Sequence, residues 1–337
     1  MALTAGQVLE TLCSLDLLNV SDPSSAVCEP ASYELCRIDW NFAEAARDDA
    51  QWQEVEAEMD RRACGEPSNS AVDPPRYSAW HLPVHFYGSD HGIYIHEYWI
   101  LAQAANIRAR LDPDRQRHPE VLRGSIQAAL ITVYLHEVFH HKTESFAIRL
   151  EIADRRPRYV PYHERVYAPL AGSNGQLEEA LACAETIRRL NESTYKSGLP
   201  PDVLEATMAD LWDDIPRQRA GYNRGCILSP DGPYERARNR LSSQIDEGVM
   251  WPEGNDDDWS LSPHSFRGLV DCRTITHVVV PQGTQPVIPW FEAPTPQTFP
   301  TPGMDRMSVL KRLKASVQSG GSQVSGAPTD CHRVARR

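Results

Sequence analysis

Residues 136–140 read HEVFH and match the pattern HExxH. On an α-helix, residues four apart share a face, so the imidazoles of His136 and His140 can bind one zinc ion together. Glu137 lies beside them and can take a proton from a water molecule bound to that ion, which lowers the pKa of the water. The chemistry that these three residues predict is hydrolysis by a metal-activated water.

A catalytic zinc site needs a third protein ligand and leaves one position for water. The candidates are Glu178 and Glu179, in the first turn of a later helix, where acidic side chains also suit the helix dipole. Glu179 shares a face with small residues such as Ala182 and Cys183, which would let another helix approach closely. Glu178 shares a face with Arg189 and is expected to be solvated. The pattern favours Glu179 and leaves Glu178 as the alternative.

Other acidic and imidazole side chains near the motif are weaker ligand candidates. His141 lies about 100° round the helix from His140, so we expect a structural role for it. Glu144 is expected to hydrogen-bond or cap locally. Residues 256–258, three consecutive aspartates, are expected to form a solvated acidic loop.

The residues around the motif predict the helix that must carry it. Pro119 suits the first turn of a helix, and residues 155–157, Arg-Arg-Pro, end the region. The apolar residues that precede the motif follow helical spacing: Leu122, Ile126, Ala129, Leu130 and Val133. His136 and His140 continue this stripe, so both imidazoles are expected to face the interior of the protein.

The remaining elements follow from periodicity and turn signals. Helices are predicted over 3–19, 41–63, 99–111, 176–190, 201–212 and 232–245, strands over 92–100 and 273–281, and an extended loop over 159–167. Residues 281–302 carry seven prolines and are expected to be irregular. Residues 318–328 are expected to be disordered.

Composition excludes several classes of protein. The net charge of −12 over 337 residues argues against general affinity for nucleic acid or an anionic membrane. No apolar run approaches the ~20 residues that span a bilayer, and no signal peptide is recognisable at the start, so a cytoplasmic location is expected. The eight cysteines contain no CxxC pair and are expected to be reduced thiols.

HEVFHH, followed after about forty residues by LEEALACA, resembles the gluzincin metallopeptidases, and most closely the compact bacterial ImmA/IrrE-type proteins. The resemblance covers roughly residues 90–195. It implies an α+β, mainly helical fold, with a minimal zincin-like core, two metal-bearing helices and an edge strand, GIYIHEYWI, along the cleft. It also implies zinc as the cofactor and a protein or peptide as the substrate.

Carried onto this sequence, the resemblance makes His136, His140 and Glu179 the zinc ligands and Glu137 the general base. Two positions depart from the family pattern. Cys183 stands where many gluzincins have an Asp or Asn that supports a ligand histidine, and Lys142 stands where peptidases usually have an apolar residue. A peptidase also needs a donor to the developing oxyanion. We favour His163 as this donor. The other candidates also lie between the two ligand helices: Tyr159, Tyr162 and Tyr167.

Four segments are predicted: an N-terminal helical segment (1–75), the metal-binding core (76–212), a C-terminal part with a short strand and the Pro-rich stretch (213–303), and a short helix with a disordered tail (304–337). The C-terminal part could cover the cleft or form a separate small domain.

Two functional hypotheses follow, a zinc metallopeptidase and a non-catalytic regulatory or interaction protein that zinc stabilises. A helical protein with chance histidines is the third, and it predicts no bound metal.

Overall fold

The computed structural model of the protein describes residues 5–17, 33–38, 40, 42, 49–63, 78–88, 91–196, 198–249, 276–281 and 283–292. Its helices are α1 (Ala5–Ser14), α2 (Asp49–Ala63), α3 (Val84–Tyr87), α4 (Glu97–Ala109), α5 (Pro119–Asp154), α6 (Tyr159–Tyr162), α7 (Leu177–Leu190), α8 (Ser193–Lys196), α9 (Pro201–Asp214), α10 (Gly225–Leu228) and α11 (Asp231–Glu247). Its strands are β1 (Tyr33–Arg37), β2 (Ala79–Leu82), β3 (Gly92–His96) and β4 (Thr276–Pro281). The fold is mainly helical α+β, as the sequence predicts.

The four strands form one sheet in the order β1-β4-β3-β2. β4 pairs antiparallel with β1 and parallel with β3, and β2 pairs antiparallel with β3. The prediction that GIYIHEYWI is an edge strand is therefore wrong, because β4 occupies one side of β3 and β2 the other. The strand also ends at His96, where α4 begins. Local sequence could not show that a distant segment pairs with β3.

The sheet is buried on both faces. Ile93 and Ile95 of β3 pack in one hydrophobic cluster with Ile126 and Leu130 of α5. Tyr94 points to the other face and packs in a second cluster with residues of α7 and α11, including Leu181. The alternation of side chains along a strand produces this division, so β3 joins two cores.

α5 is the longest of the described helices, with 36 residues. It begins at Pro119, and it ends where Arg155 adopts the left-handed conformation (φ 55°) and its N–H bonds to the carbonyl of Glu151. The predicted apolar stripe is buried: Ile126, Ala129 and Leu130 are all inaccessible to solvent. The helix prediction is confirmed.

Residues 159–167 are helical, and the prediction of an extended loop there is wrong. α6 continues into a wide helical turn over His163–Tyr167. The carboxylate of Glu151 accepts hydrogen bonds from the backbone N–H groups of Arg158 and Tyr159, at 2.8 and 3.0 Å. Arg158, at the N-cap position of α6, makes no side-chain capping bond. The carboxylate of Glu151 therefore caps this helix from α5.

The other predicted elements are present with shifted ends. The helices predicted over 3–19, 201–212 and 232–245 are α1, α9 and α11, and the second strand is β4. Since β1 and β4 lie in the same sheet as β2 and β3, segments 1–75 and 213–303 both contribute to the sheet of the predicted core. The described part of the Pro-rich stretch, 283–292, holds no helix. Residues 256–258, the tail 304–337 and the predicted disorder over 318–328 lie outside the described residues.

Within the part of the chain that the structure describes, no helix combines the length and the apolarity that crossing a membrane requires. Cys183 and Cys226 form no disulfide bond.

Candidate metal centre

α5 and α7 bring His136, His140 and Glu179 together. The Oε2 atom of Glu179 lies 3.2 Å from Nε2 of His136 and 3.3 Å from Nε2 of His140, and the two Nε2 atoms lie 3.4 Å apart. The two histidines come from adjacent turns of α5, and Glu179 comes from the first turn of α7. Three donor atoms therefore converge on one point.

The spacing of these donors fits a first-row metal ion. Zinc bonds to imidazole nitrogen and carboxylate oxygen at about 2.0–2.1 Å, which for tetrahedral angles separates the donor atoms by about 3.3 Å. The observed separations of 3.2, 3.3 and 3.4 Å match that value. Two imidazoles and one carboxylate form a donor set that catalytic zinc sites use, and non-haem Fe(II) uses the same set.

Glu178 supports His140, although the sequence suggested a solvated side chain. Only 3% of it is exposed, and its Oε1 atom accepts a hydrogen bond from Nδ1 of His140 at 2.7 Å. The hydroxyl of Tyr162 donates to the other carboxylate oxygen at 2.6 Å. Tyr167 in turn donates to Oε1 of Glu179 at 2.6 Å, leaving Oε2 towards the histidines. The expectation of a solvated Glu178 is wrong because helix α6 covers that side of α7.

Cys183 occupies the supporting position for His136. Its Sγ atom lies 3.7 Å from Nδ1 of His136, a long contact for a weak partner. Burial, followed by the charge of Glu179, raises the pKa of the thiol well above its ordinary value, so it remains protonated. Gly225 makes this packing possible, because a Cβ atom at that position would lie 2.4 Å from Cβ of Cys183.

The charges of the site call for a cation. Burial lowers the pKa of His140, but the carboxylates of Glu179 and Glu178 outweigh it and raise that pKa well above the ordinary value. Burial raises the pKa of Glu179, but the two imidazoles of His140 and His136 lower it well below the ordinary value. A proton on His140 would balance one of the two buried carboxylates, whereas a divalent metal ion in its place would balance both.

The site opens onto a cavity of about 700 Å³, lined by residues of β2, α4, α5, α7 and α9 and by the segment 215–222. His136 and Glu137 both reach it, and 18% of the His136 side chain is exposed. Burial raises the pKa of Glu137, while the neighbouring imidazoles and a backbone hydrogen bond from His81 oppose that shift. The predicted general base is therefore at the cavity wall, beside the converging donors.

Tyr222 and Arg219 also line this cavity. The ring of Tyr222 stacks on His136, with centroids 5.7 Å apart and planes 8° from parallel, and Arg219 donates to its hydroxyl at 2.7 Å. Sequence reasoning missed both residues. They lie in short turns at least 40 residues after Glu179, and they match no motif. The one local signal in the sequence is a glycine, Gly221, directly before the aromatic residue. In the structure, Gly221 adopts a positive φ of 98°.

His163, the predicted oxyanion donor, does not line the cavity. Its ring packs against Phe86, with centroids 4.9 Å apart, and against Tyr159 and Tyr167. Burial lowers its pKa to about 4. The helical path of 159–167 places this side chain among aromatic rings outside the cavity lining, so the structure gives no support for His163 as the oxyanion donor, and that choice stays a prediction.

Comparison with known proteins adds no family. No model of a known protein family matches the chain, and neither a curated protein nor a solved structure is significantly similar to it. The geometry of the site therefore carries the functional argument.

Proposed function

We propose that this chain is a zinc-dependent metallopeptidase in which His136, His140 and Glu179 hold the ion. The observation that carries the proposal is the convergence of their three donor atoms, 3.2–3.4 Å apart, beside an open cavity that His136 lines. A purely structural zinc site is closed by four protein ligands, whereas a catalytic one keeps a position open. Exposure of His136 to the cavity favours the catalytic type.

Zinc bound there would polarise a substrate carbonyl and lower the pKa of a water molecule towards neutrality. Glu137 would take a proton from a water molecule held there and give it to the leaving amine. It follows His136 directly and shares the cavity wall with it. Glu178 keeps His140 in the orientation that presents Nε2 to the ion.

Tyr222 is the donor that we propose for the developing oxyanion. Its hydroxyl lies beside the ligand set, and its ring is fixed between His136 and the guanidinium of Arg219. Burial and the charge of Glu179 raise the pKa of Tyr222, so the phenol keeps its proton and can donate it in a hydrogen bond. This role replaces the one predicted for His163.

A peptide is the substrate class that suits the cavity. β2 is the edge strand of the sheet on this side, and Ser78 and Ala79 lie in the cavity wall. An extended peptide can add to such an edge through main-chain hydrogen bonds. It would then pass beside Glu137 on α5.

The proposal is tested with zinc-loaded protein and a pool of quenched fluorescent peptides. We expect cleavage that falls by about 10²–10⁴-fold in Glu137→Gln, as removal of a general base does, while bound zinc is unchanged. Glu205→Gln, an exposed position on α9, is the matched control. Equal cleavage by wild type and Glu137→Gln would overturn the assignment of the base.

A second measurement does not depend on finding the right peptide. Acetohydroxamate binds a zinc ion that has an open position, so calorimetry should detect one equivalent on zinc-loaded wild type. Glu179→Ala should abolish this binding. Bound zinc without any hydroxamate binding would favour the alternative, a zinc-stabilised regulatory or interaction protein without hydrolytic activity.

A further inference from the structure

A second cluster of histidine and glutamate lies on another face of α5. The ligand atoms of His81, His141 and Glu144 all lie within 4.8 Å of one another. His81 belongs to β2, and the other two belong to α5, three residues apart. Nε2 of His81 lies 3.5 Å from Oε2 of Glu144, and the rings of His81 and His141 meet edge to face with centroids 5.5 Å apart.

The polar atoms of this cluster are buried and have no hydrogen-bond partner. These atoms are Nε2 of His81, both ring nitrogens of His141 and Oε2 of Glu144. Only 3% of the His81 side chain and 1% of the Glu144 side chain are exposed, and His141 is 1% exposed. Leaving one such group unsatisfied costs about 1–3 kcal/mol, so four of them at one point require an explanation.

The other oxygen of Glu144 is held firmly. Oε1 accepts hydrogen bonds from Nδ1 of His85 at 2.6 Å and from the His85 backbone N–H at 3.1 Å. Nε2 of His85 bonds in turn to Glu151 at 2.7 Å. These contacts orient Glu144 so that Oε2 points at the two imidazoles, as an outer partner orients a carboxylate ligand of a metal.

We propose that His81, His141 and Glu144 bind a second zinc ion, in a buried structural site distinct from the candidate catalytic centre. Two imidazoles and one carboxylate are donors that zinc accepts, and one ion would satisfy three of the four unpartnered atoms: Nε2 of His81, Oε2 of Glu144 and one ring nitrogen of His141. The two acids Glu144 and Glu151 exceed the single histidine between them by one negative charge, which favours a cation. A water molecule would take the fourth position, and burial of the cluster, in place of a fourth protein ligand, would close this site to a substrate.

The site would fasten the edge strand to the long helix. His81 is held in β2 by pairing with Ile93, while His141 and Glu144 are fixed in α5. The backbone of His81 also hydrogen-bonds to Glu137, the predicted general base. An ion in this site would therefore hold the wall of the cavity in place without touching a substrate.

The test is zinc per chain by elemental analysis of the full-length protein after zinc loading and gel filtration. We expect two equivalents in wild type, one in Glu179→Ala, one in His141→Gln and none in the double variant. His81→Gln provides a second probe of the buried site if His141→Gln does not fold. Glu179→Ala leaves the buried cluster unaltered. One equivalent of zinc that remains in this variant therefore supports the second site even if the buried variants do not fold.

The two sites give distinguishable failures. One equivalent in wild type that survives in His141→Gln and disappears in Glu179→Ala would overturn the second site and leave the first. One equivalent that survives in Glu179→Ala and disappears in His141→Gln would support the second site and overturn the first. Zinc-free wild type after loading would overturn both.

Discussion

Helix α5 carries two histidine–glutamate clusters that differ in access to solvent. The open cluster, His136, His140 and Glu179, reaches a cavity of about 700 Å³ through His136. The closed cluster, His81, His141 and Glu144, is buried between α5 and β2. Since adjacent residues of a helix point about 100° apart, the consecutive histidines 140 and 141 serve different clusters. One helix can thus present similar ligands to two different environments.

The two clusters also differ in charge. In the open cluster, buried carboxylates outnumber other charges and raise the pKa of His140. In the closed cluster, His85 is shared between Glu144 and Glu151, and burial lowers the pKa of His81 and brings that of His141 to about 4. The closed imidazoles are therefore neutral near pH 7. The two clusters contain the same types of ligand. The number of carboxylates relative to positive charges around the imidazoles therefore sets whether a histidine is protonated.

The strongest challenge to the closed cluster is the substitution His85→Ala. Although burial lowers the pKa of His85, Glu151 and Glu144 raise it to about 10, so the ring is a cation between two buried acids. Its removal leaves these carboxylates unpaired, and we expect the free energy of unfolding to fall by about 3–5 kcal/mol. Urea denaturation measures the change, with the exposed His118→Ala as control. A loss equal to that of the control would show that the network does not stabilise the fold.

Glu185→Gln tests the ion pair that joins α7 to α5. Glu185 accepts hydrogen bonds from Lys142 at 3.0 Å and Tyr234 at 2.7 Å. Burial raises its pKa, but Lys142, Tyr234 and Arg189 outweigh burial and lower it to about 2. We expect Glu185→Gln to reduce the free energy of unfolding at pH 7 by about 2–3 kcal/mol.

The pH dependence of that loss follows from its sign. A depressed pKa stabilises the folded state above the ordinary value of 4.5, and the contribution disappears as the pH falls towards 2. Wild type and Glu185→Gln should therefore converge between pH 4.5 and pH 2 in chemical denaturation. Glu192→Gln, a more exposed partner of the Arg189 side chain, is the control. Curves that stay parallel down to pH 2 would contradict the assignment.

Glu178→Gln sharpens the comparison at the open cluster alone. The amide keeps an acceptor for Nδ1 of His140 but loses the negative charge, and loss of an outer partner typically costs about 10–100-fold in metal affinity. We expect zinc affinity at the open cluster to fall by about tenfold, measured by competition with a chromophoric chelator. Zinc at the closed cluster should be unchanged. A fall in both affinities would show that the clusters are not independent.

The smallest effect on the fold and on metal binding is expected for Tyr222→Phe. The ring still stacks on His136, but the hydroxyl that we propose as the oxyanion donor is gone. We expect kcat/KM for a cleaved peptide to fall by about 10²–10³-fold, the typical cost of losing one oxyanion donor, with no change in zinc content. His163→Gln, which alters a side chain outside the cavity, is the comparison. A larger loss of kcat/KM in His163→Gln would restore the role first predicted for that residue.

Much of the fold and half of the site could be predicted from local sequence. The apolar stripe ending in His136 and His140 predicted a buried helix, because helical periodicity is a property of neighbouring residues. The small side chains after Glu179 predicted close approach of α7. Both features depend on residues within one element.

What could not be predicted depends on contacts between distant segments. Glu178 is buried because Tyr162, in a helix capped from a distance by Glu151, covers it. His81 meets His141 only because β2 packs on α5, and neither residue belongs to a recognisable motif. Tyr222 reaches His136 through a turn that no periodicity marks. Each of these pairings is a tertiary event that sequence spacing does not encode.

The position of β4 has a consequence for how the chain folds during synthesis. β4 lies between β1 and β3, although it is the last of the described strands to be made. Until β4 has left the ribosome, β1 lacks the strand that it pairs with in this sheet, and one edge of β3 is unpaired. Pairing of Arg37 with His277 closes a very long loop, which slows folding. Such a nascent chain exposes strand edges that a chaperone can bind.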